Sequence, residues 1–262
     1  MNTVKTVLIA STALAVSSLS ALAAPALGLI GDKTLVMFDT DTPTVSKTMD
    51  VTGVDKLVGI DFRPGNKTVI GVTPESVIVS IDLATGAATE LAKMKTPLEI
   101  GSAPVIVDFN PMADRLRFIT GTTNHRVHPD TGDVTVDGKL AYETKDMHAG
   151  EAPMIVAAAY TNSYGKPEKT AMYDIDATIV ALIRQVSPND GTLAAVGKLG
   201  IDKPGETFAF DIGTAADGTN SAVLVTGNTL YAVDLETGKA TAKGAIDGAS
   251  GNIHDITILP AM

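Results

Sequence analysis

Four aspartates recur at one place in short apolar runs. They are Asp61 in Gly59-Ile-Asp-Phe-Arg-Pro64, Asp108 in Val107-Asp-Phe-Asn-Pro111, Asp211 in Phe208-Ala-Phe-Asp-Ile212 and Asp255 in Ile253-His-Asp-Ile-Thr-Ile258. A fifth run, Val156-Ala-Ala-Ala-Tyr-Thr-Asn162, carries Ala159 where the others carry Asp. Carboxylates held at one level around an axis could converge on a hard cation such as Ca²⁺, which takes oxygen ligands at about 2.3–2.6 Å. The simpler expectation is structural, each Asp accepting hydrogen bonds from its own blade, from a neighbouring strand's N–H groups or from an arginine. On either reading the carboxylates need a partner, because like charges in proximity raise one another's pKa.

His254 neighbours Asp255 and is the one histidine retained as a candidate base or ligand. His125 and His128 are three apart on an extended run, so they face opposite ways and make a poor metal pair. His148 falls in a polar stretch expected to be an exposed loop. Arg115 and Arg117, two apart on a strand, share a face. They could grip a carboxylate or phosphate of a ligand, or pair with Asp108 and Asp114 as a clamp between blades, and the clamp is the favoured reading. The chain has no Cys, so it offers no thiol nucleophile and no thiolate zinc site. It contains no G-x-S-x-G, H-E-x-x-H, Walker or EF-hand sequence. These patterns carry no catalytic residue and imply no cofactor beyond a possible Ca²⁺.

The elements that must position these residues are short strands. Leu57 to Met94 reads as four of them: Val58–Phe62, Thr68–Val72, Val77–Ile81 and a weaker Ala87–Ala92. They are separated by Pro- and Gly-bearing turns, which gives an antiparallel meander. The turn before the fourth strand, Asp82-Leu-Ala-Thr-Gly86, returns as His128-Pro-Asp-Thr-Gly132 and Asp234-Leu-Glu-Thr-Gly238. Ser187-Pro-Asn-Asp-Gly191 and Asp39-Thr-Asp-Thr-Pro43 are looser copies. Positions 43, 86, 132, 191 and 238 are separated by 43, 46, 59 and 47 residues. Four strands per period in the forties is the signature of a β-propeller. The long interval is accounted for by polar insertions at Tyr142–Pro153 and Asn162–Lys169, expected as surface loops.

The two ends of the chain complete each other. The N-terminal part supplies three strands, near Ala26–Ile30, Thr34–Asp39 and Thr44–Val51, and Asn252–Leu259 supplies a lone inner strand. The sequence therefore predicts an all-β, five-bladed propeller of four-stranded antiparallel blades, with one blade closed by both termini. Closure of that kind leaves no open edge to the ring.

Hydrophobic residues make up 45% and charged residues 19% of the chain, the balance of a globular protein, and aromatics are only 4%. The core must then be built from Val, Ile, Leu and Ala. A net charge of −10 argues against nucleic acid and against an anionic membrane surface. Lys5, the apolar run Val7–Ala23 and the small residues Ala21 and Ala23 read as a signal peptide over residues 1–23, with residues 24–262 as one domain. No second apolar run is long enough to span a membrane. A periplasmic or secreted protein without membrane insertion is expected.

The segments LVGIDFRP, VDFNPMADRLRFIT, HPDTG, VAAAYTNS and LYAVDLETGKAT resemble a family of secreted bacterial proteins catalogued as a domain of unknown function, over about Leu29 to Leu259. That resemblance implies export and a propeller-like repeat, and it brings no catalytic residue. The DxxTG turns also resemble repeats of quinone-cofactor dehydrogenase propellers. Those repeats end in a docking Trp, and this chain has no Trp. Two functions are left in view. The first is a non-catalytic module binding a small ligand, a glycan or an envelope protein. The alternative is a metal-dependent hydrolase, lactonase- or glycosidase-like, using the Asp ring and His254.

Overall fold

A computed structural model describes residues 24–97 and 99–260, so the expected signal peptide lies outside the described residues. Among the described residues, every regular element is a strand. The chain opens with β1 (Pro25–Ile30), β2 (Thr34–Asp39) and β3 (Val45–Asp50), then β4 (Gly59–Arg63), β5 (Thr68–Val72), β6 (Val77–Ile81) and β7 (Ala88–Lys93). Next come β8 (Val105–Asn110), β9 (Arg115–Thr120), β10 (Thr123–Val127), β11 (Val134–Val136) and the two-residue β12 (Ala141–Tyr142). The remainder is β13 (Ile155–Tyr160), β14 (Met172–Asp176), β15 (Ala181–Ser187), β16 (Thr192–Lys198), β17 (Phe208–Thr214), β18 (Asn220–Thr226), β19 (Thr229–Val233), β20 (Ala240–Ala245) and β21 (Ile253–Ile258).

They form five sheets, each a blade of a five-bladed propeller. The last strand, β21, pairs antiparallel with the first, β1, matching Ala26 to Ile258 and Leu29 to Asp255. Blade 1 is thus β21-β1-β2-β3, built from both ends of the chain. Blades 2, 3 and 5 are simple meanders led by β4, β8 and β17. The inner strands β21, β4, β8, β13 and β17 pack on one another in that cyclic order and close the ring.

Alternation explains the packing. Successive side chains of a strand point to opposite faces, and here each face meets a different neighbour. Ile60, Val69, Val79 and Ile81 of blade 2 pack with Leu27, Leu29 and Leu35 of blade 1. Ile70, Val72 and Ile78, from the same strands, pack with Val107, Phe109 and Phe118 of blade 3. Near-continuous Val/Ile/Leu runs therefore read as inner and middle strands. The outer strands β3, β7 and β20 are largely exposed and polar.

The repeated turn has two jobs. The Asp82 carboxylate accepts the N–H groups of Ala84 and Thr85 at 2.7 and 3.3 Å, and Asp234 does the same for Glu236 and Thr237 at 2.8 and 3.1 Å. The closing glycine is then left-handed, with φ of 78° at both Gly86 and Gly238. It also presses on the preceding blade: a Cβ at Gly238 would collide with the Gly197 carbonyl oxygen, and one at Gly86 would lie 2.8 Å from that of Asp50. Only glycine meets both conditions.

Blade 4 departs from the expected pattern. Tyr142 is not loop: β12 adds a fifth strand, parallel to β16. The expected loop from 142 to 153 is tied down, because Asp176 accepts the Tyr142 hydroxyl at 2.7 Å and the Met154 N–H at 3.1 Å. Asp146 likewise accepts the Ala195 N–H at 2.7 Å. His148, expected exposed, is mostly covered and pairs with Glu151 at 3.0 Å.

Candidate functional site: a carboxylate ring in the axial channel

An inner strand has a ladder partner on one side only, so N–H groups on its inward edge lack a strand to pair with. Buried N–H groups left unpaired are costly. The aspartates answer this need, each reaching across to the next blade. Asp61 accepts the Phe109 N–H at 2.6 Å, Asp108 that of Tyr160 at 3.0 Å and Asp211 that of Ile258 at 2.5 Å. Asp61 and Asp211 also hold their own following N–H groups, on Phe62 and Ile212, at 2.7 and 2.6 Å.

The corresponding place in blade 1 is taken by Thr257, not by Asp255. The Thr257 hydroxyl accepts the Phe62 N–H at 3.0 Å and donates to Asp61 at 2.8 Å. Asp255 sits two residues earlier on the same face and accepts the N–H groups of Ile60 at 2.7 Å and Ile256 at 3.0 Å. The ring position therefore runs Asp61, Asp108, Ala159, Asp211, Thr257. One oxygen from each of Asp61, Asp108 and Asp211 lies within 4.8 Å of the other two. Asp255 is outside that cluster and one step along the channel.

The three carboxylates are buried, at 6%, 4% and 7% exposure. With Thr257, Ser163 and Tyr160 they line a cavity of about 10 Å³, room for one water-sized body. Burial pushes Asp61 and Asp108 well above the usual carboxylate range, and the neighbouring carboxylates add to it, Asp211 for Asp61 and Asp61 for Asp108. Asp211 is pushed up to about 6 by burial, held back by the Ile258 and Ile212 N–H groups. Burial also raises Asp255. Donated hydrogen bonds favour the anion, but desolvation outweighs them here.

The arginines separate. Arg117 is 1% exposed and spans blades 3 and 4. It meets Asp137 at 2.6 Å, Asn124 at 2.8 Å and the Tyr160 hydroxyl at 3.0–3.1 Å. It is a clamp, with Asp137 in place of the expected Asp108 and Asp114. Among the described residues, the Arg115 guanidinium donates only to the carbonyls of Ala113 and Asp114, at 3.3 and 3.0 Å. Asp114 instead belongs to Arg63, whose fork holds it at 2.6–2.8 Å and Asp130 at 2.6–2.8 Å, joining blades 2 and 3. Sequence reading missed Arg63 and Thr257. Arg63 closes the inner strand of blade 2, where a long cation can reach the next blade's turns. Thr257 lies two residues past Asp255, on the same face of the strand.

His254 lies at the other end of the channel, where the inner strands begin. With Gly31, Asp32, Lys56, Leu57, Val58 and Val105 it lines a depression of about 380 Å³. Its Nε2 is 2.9 Å from the Gly31 carbonyl oxygen, an acceptor, so that nitrogen carries the hydrogen. Burial lowers the His254 pKa, which leaves the ring neutral at pH 7 with Nδ1 as an acceptor. His125 is buried in β10 and His128 sits in a turn, so the two do not form a pair.

Residues 34–257 match a family described as a domain of unknown function, DUF4394. The chain belongs to this family. No curated protein matches the sequence. Among solved structures, a protein of unknown function from Bacteroides caccae is similar at 13% identity and a TM-score of 0.42, over 83% of this chain and 72% of that one. The extracellular domain of a protein described as a hybrid two-component system from B. thetaiotaomicron is similar at 10% identity and a TM-score of 0.42, over 85% of this chain but 28% of its own. A second such domain, described as from a one-component system, gives 11% identity and 0.41, over 87% and 29%. This chain spans under a third of those two proteins. Among the described residues, no helix is long and apolar enough to cross a membrane.

Proposed function

We propose that this DUF4394 propeller is an exported, non-catalytic binding module of the cell envelope, and that it takes a small ligand in the depression around His254. Accessibility carries the reading. A binding site must be open and of ligand size, and the depression of about 380 Å³ falls in the range of small-molecule sites. The carboxylate ring sits in a cavity of about 10 Å³, which admits no sugar or lactone. Leu57, Val58 and Val105 offer an apolar floor, and Lys56, 53% exposed at its side chain and paired with Asp32 at 3.1 Å, offers a donor at the rim.

The test is a thermal-shift screen of monosaccharides, short oligosaccharides and dipeptides against wild type, Lys56→Glu and His254→Ala. The expected result is a compound that stabilises wild type and loses most of its effect on both variants. Compounds that stabilise all three proteins equally would place the site elsewhere. Turnover of an ester or glycoside by wild type, lost in Asp108→Asn, would restore the hydrolase.

A further inference from the structure

The hydrogen bonds account for the ring's oxygens unequally. Asp61 receives donors on both oxygens, from Phe62, Thr257 and Phe109. Asp211 receives them on both, from Ile212 and Ile258. Asp108 receives one, from Tyr160 to Oδ1. Its Oδ2 has no donor among the described residues, although Asp108 is 4% exposed and lines the cavity. Among the described residues, no Lys or Arg forms an ion pair with any of these three carboxylates. Elsewhere among the described residues, buried Asp137 is matched by Arg117 and Arg126 and Asp176 by the Tyr142 hydroxyl and N–H groups, whereas Asp174 has no hydrogen-bond partner on either oxygen.

We infer that Asp61, Asp108 and Asp211 bind one Ca²⁺ ion in the axial channel, with Asp108 Oδ2 as its unshared ligand. An ion at about 2.4 Å from three oxygens requires them to lie within 4.8 Å of one another, and they do. Oxygens already accepting one N–H keep a second lone pair for the metal. The donor set is oxygen only, which selects a hard cation over zinc or copper. Size then separates Ca²⁺ from Mg²⁺. Mg²⁺ keeps several waters in a strict octahedron, for which about 10 Å³ has no room, while Ca²⁺ accepts irregular direct ligation. Ser163 and Thr257 line the same cavity and bring hydroxyl oxygens. Ala159 leaves the fifth ring position a methyl group, so the space is not filled by a side chain that competes for the carboxylates. The ion would neutralise the ring while the N–H groups keep the blades stapled. This site is separate from the His254 depression, and either can fail without the other.

Chelator-treated protein should be titrated with CaCl₂ and with MgCl₂ at about pH 7.5, following heat of binding and melting temperature. Ca²⁺ is expected to bind with a stoichiometry near one and to raise the melting temperature with concentration, as any ligand of the native state does. Mg²⁺ should have the smaller effect. Asp108→Asn, which keeps the shape and removes the unshared ligand charge, should weaken Ca²⁺ binding by about tenfold or more, since ligand charge sets affinity in such sites. Asp255→Asn, outside the cluster, should keep the wild-type Ca²⁺ response. As a measurement free of mutation, Tb³⁺ excited through Tyr160 beside the cavity should luminesce in wild type and be displaced by Ca²⁺. Absence of both Ca²⁺ heat and Tb³⁺ luminescence in wild type would overturn the inference. So would unchanged affinity in Asp108→Asn, or equal loss in Asp255→Asn.

Discussion

Arg115 and Arg117 stand two residues apart on β9 and differ in what their loss would leave behind. Removing Arg117 leaves Asp137, 4% exposed at its side chain, with only the half-covered Arg126. It also strands the Asn124 oxygen and the Tyr160 hydroxyl. Breaking a buried pair from one side costs about 3–5 kcal/mol, and urea unfolding of Arg117→Ala should show a loss of that order. Arg115→Ala removes contacts to two carbonyls and should change stability by less than about 0.5 kcal/mol. Asp174 gives a second residue-scale expectation. It is fully buried in β14, Gln185 lies beside it, and yet none of the four polar atoms of the two side chains is in hydrogen-bond geometry. Burial pushes its pKa up to about 8. A folded pKa above the unfolded value means the native state holds the extra proton, so stability falls as pH rises from about 4 towards 8. Each pH unit in that window costs up to about 1.4 kcal/mol for one such group. Melting of Asp174→Asn between about pH 5 and 8 should have a shallower slope than wild type, and an unchanged slope would show that Asp174 is ionised throughout. At this scale the sequence showed that acids recur on inner strands. It could not show which N–H each one reaches, and that is why Asp255 was aligned with Asp61 while Thr257, which carries no charge to betray it, holds the ring position.

Strands were the most legible elements, because each is an apolar run cut by Pro, Gly or an Asp-led turn. β4 to β7 fall within a residue of the reading from sequence. β12 was not legible: two residues have no period, and parallel pairing with β16 is a tertiary fact. The turn glycines carry an expectation of their own. Gly218, at φ 87°, has open space where a Cβ would stand, with nothing within 4 Å, whereas a Cβ at Gly238, at φ 78°, would collide with the Gly197 carbonyl oxygen. Gly218→Ala should cost only the left-handed backbone penalty of about 1–2 kcal/mol. Gly238→Ala should cost clearly more, because blades 4 and 5 must also part. Equal losses in chemical denaturation would remove blade contact as a reason for the repeated glycine. The two insertions of blade 4 also divide. The first is held by Asp176 and Asp146. The second is held at its start, through the N–H groups of Asn162 and Ser163, and at its end, where the Asn162 amide donates to the Lys169 carbonyl at 2.9 Å, and it exposes Tyr164 at 52% between them. Chymotrypsin at Tyr164, or trypsin at Lys169, should cut before trypsin reaches Lys145. Pro167 protects Lys166. First cleavage at Lys145 would contradict the anchoring.

For the whole molecule, five blades followed from the spacing of one turn and from strands missing at one end and left over at the other. The structure joins them: β21 pairs with β1 and packs between β17 and β4. Its Thr257 ties blade 1 to Asp61 of blade 2, and its Ile258 N–H answers Asp211 of blade 5. One strand therefore closes the sheet, the hydrophobic cluster between blades 5 and 1 and the carboxylate ring together. What the sequence withheld at this scale was the channel itself, since its cavity arises only where five inner strands meet and the depression where β21, β4, β8 and the β1–β2 turn come together. Deleting residues 252–262 tests the closure most directly. The shortened chain, compared with full-length protein by calorimetry, should lose its cooperative transition, exposing the inward edge of β1 and orphaning the Phe62 N–H. A single cooperative transition near the full-length melting temperature would contradict a five-bladed ring closed by its own two ends.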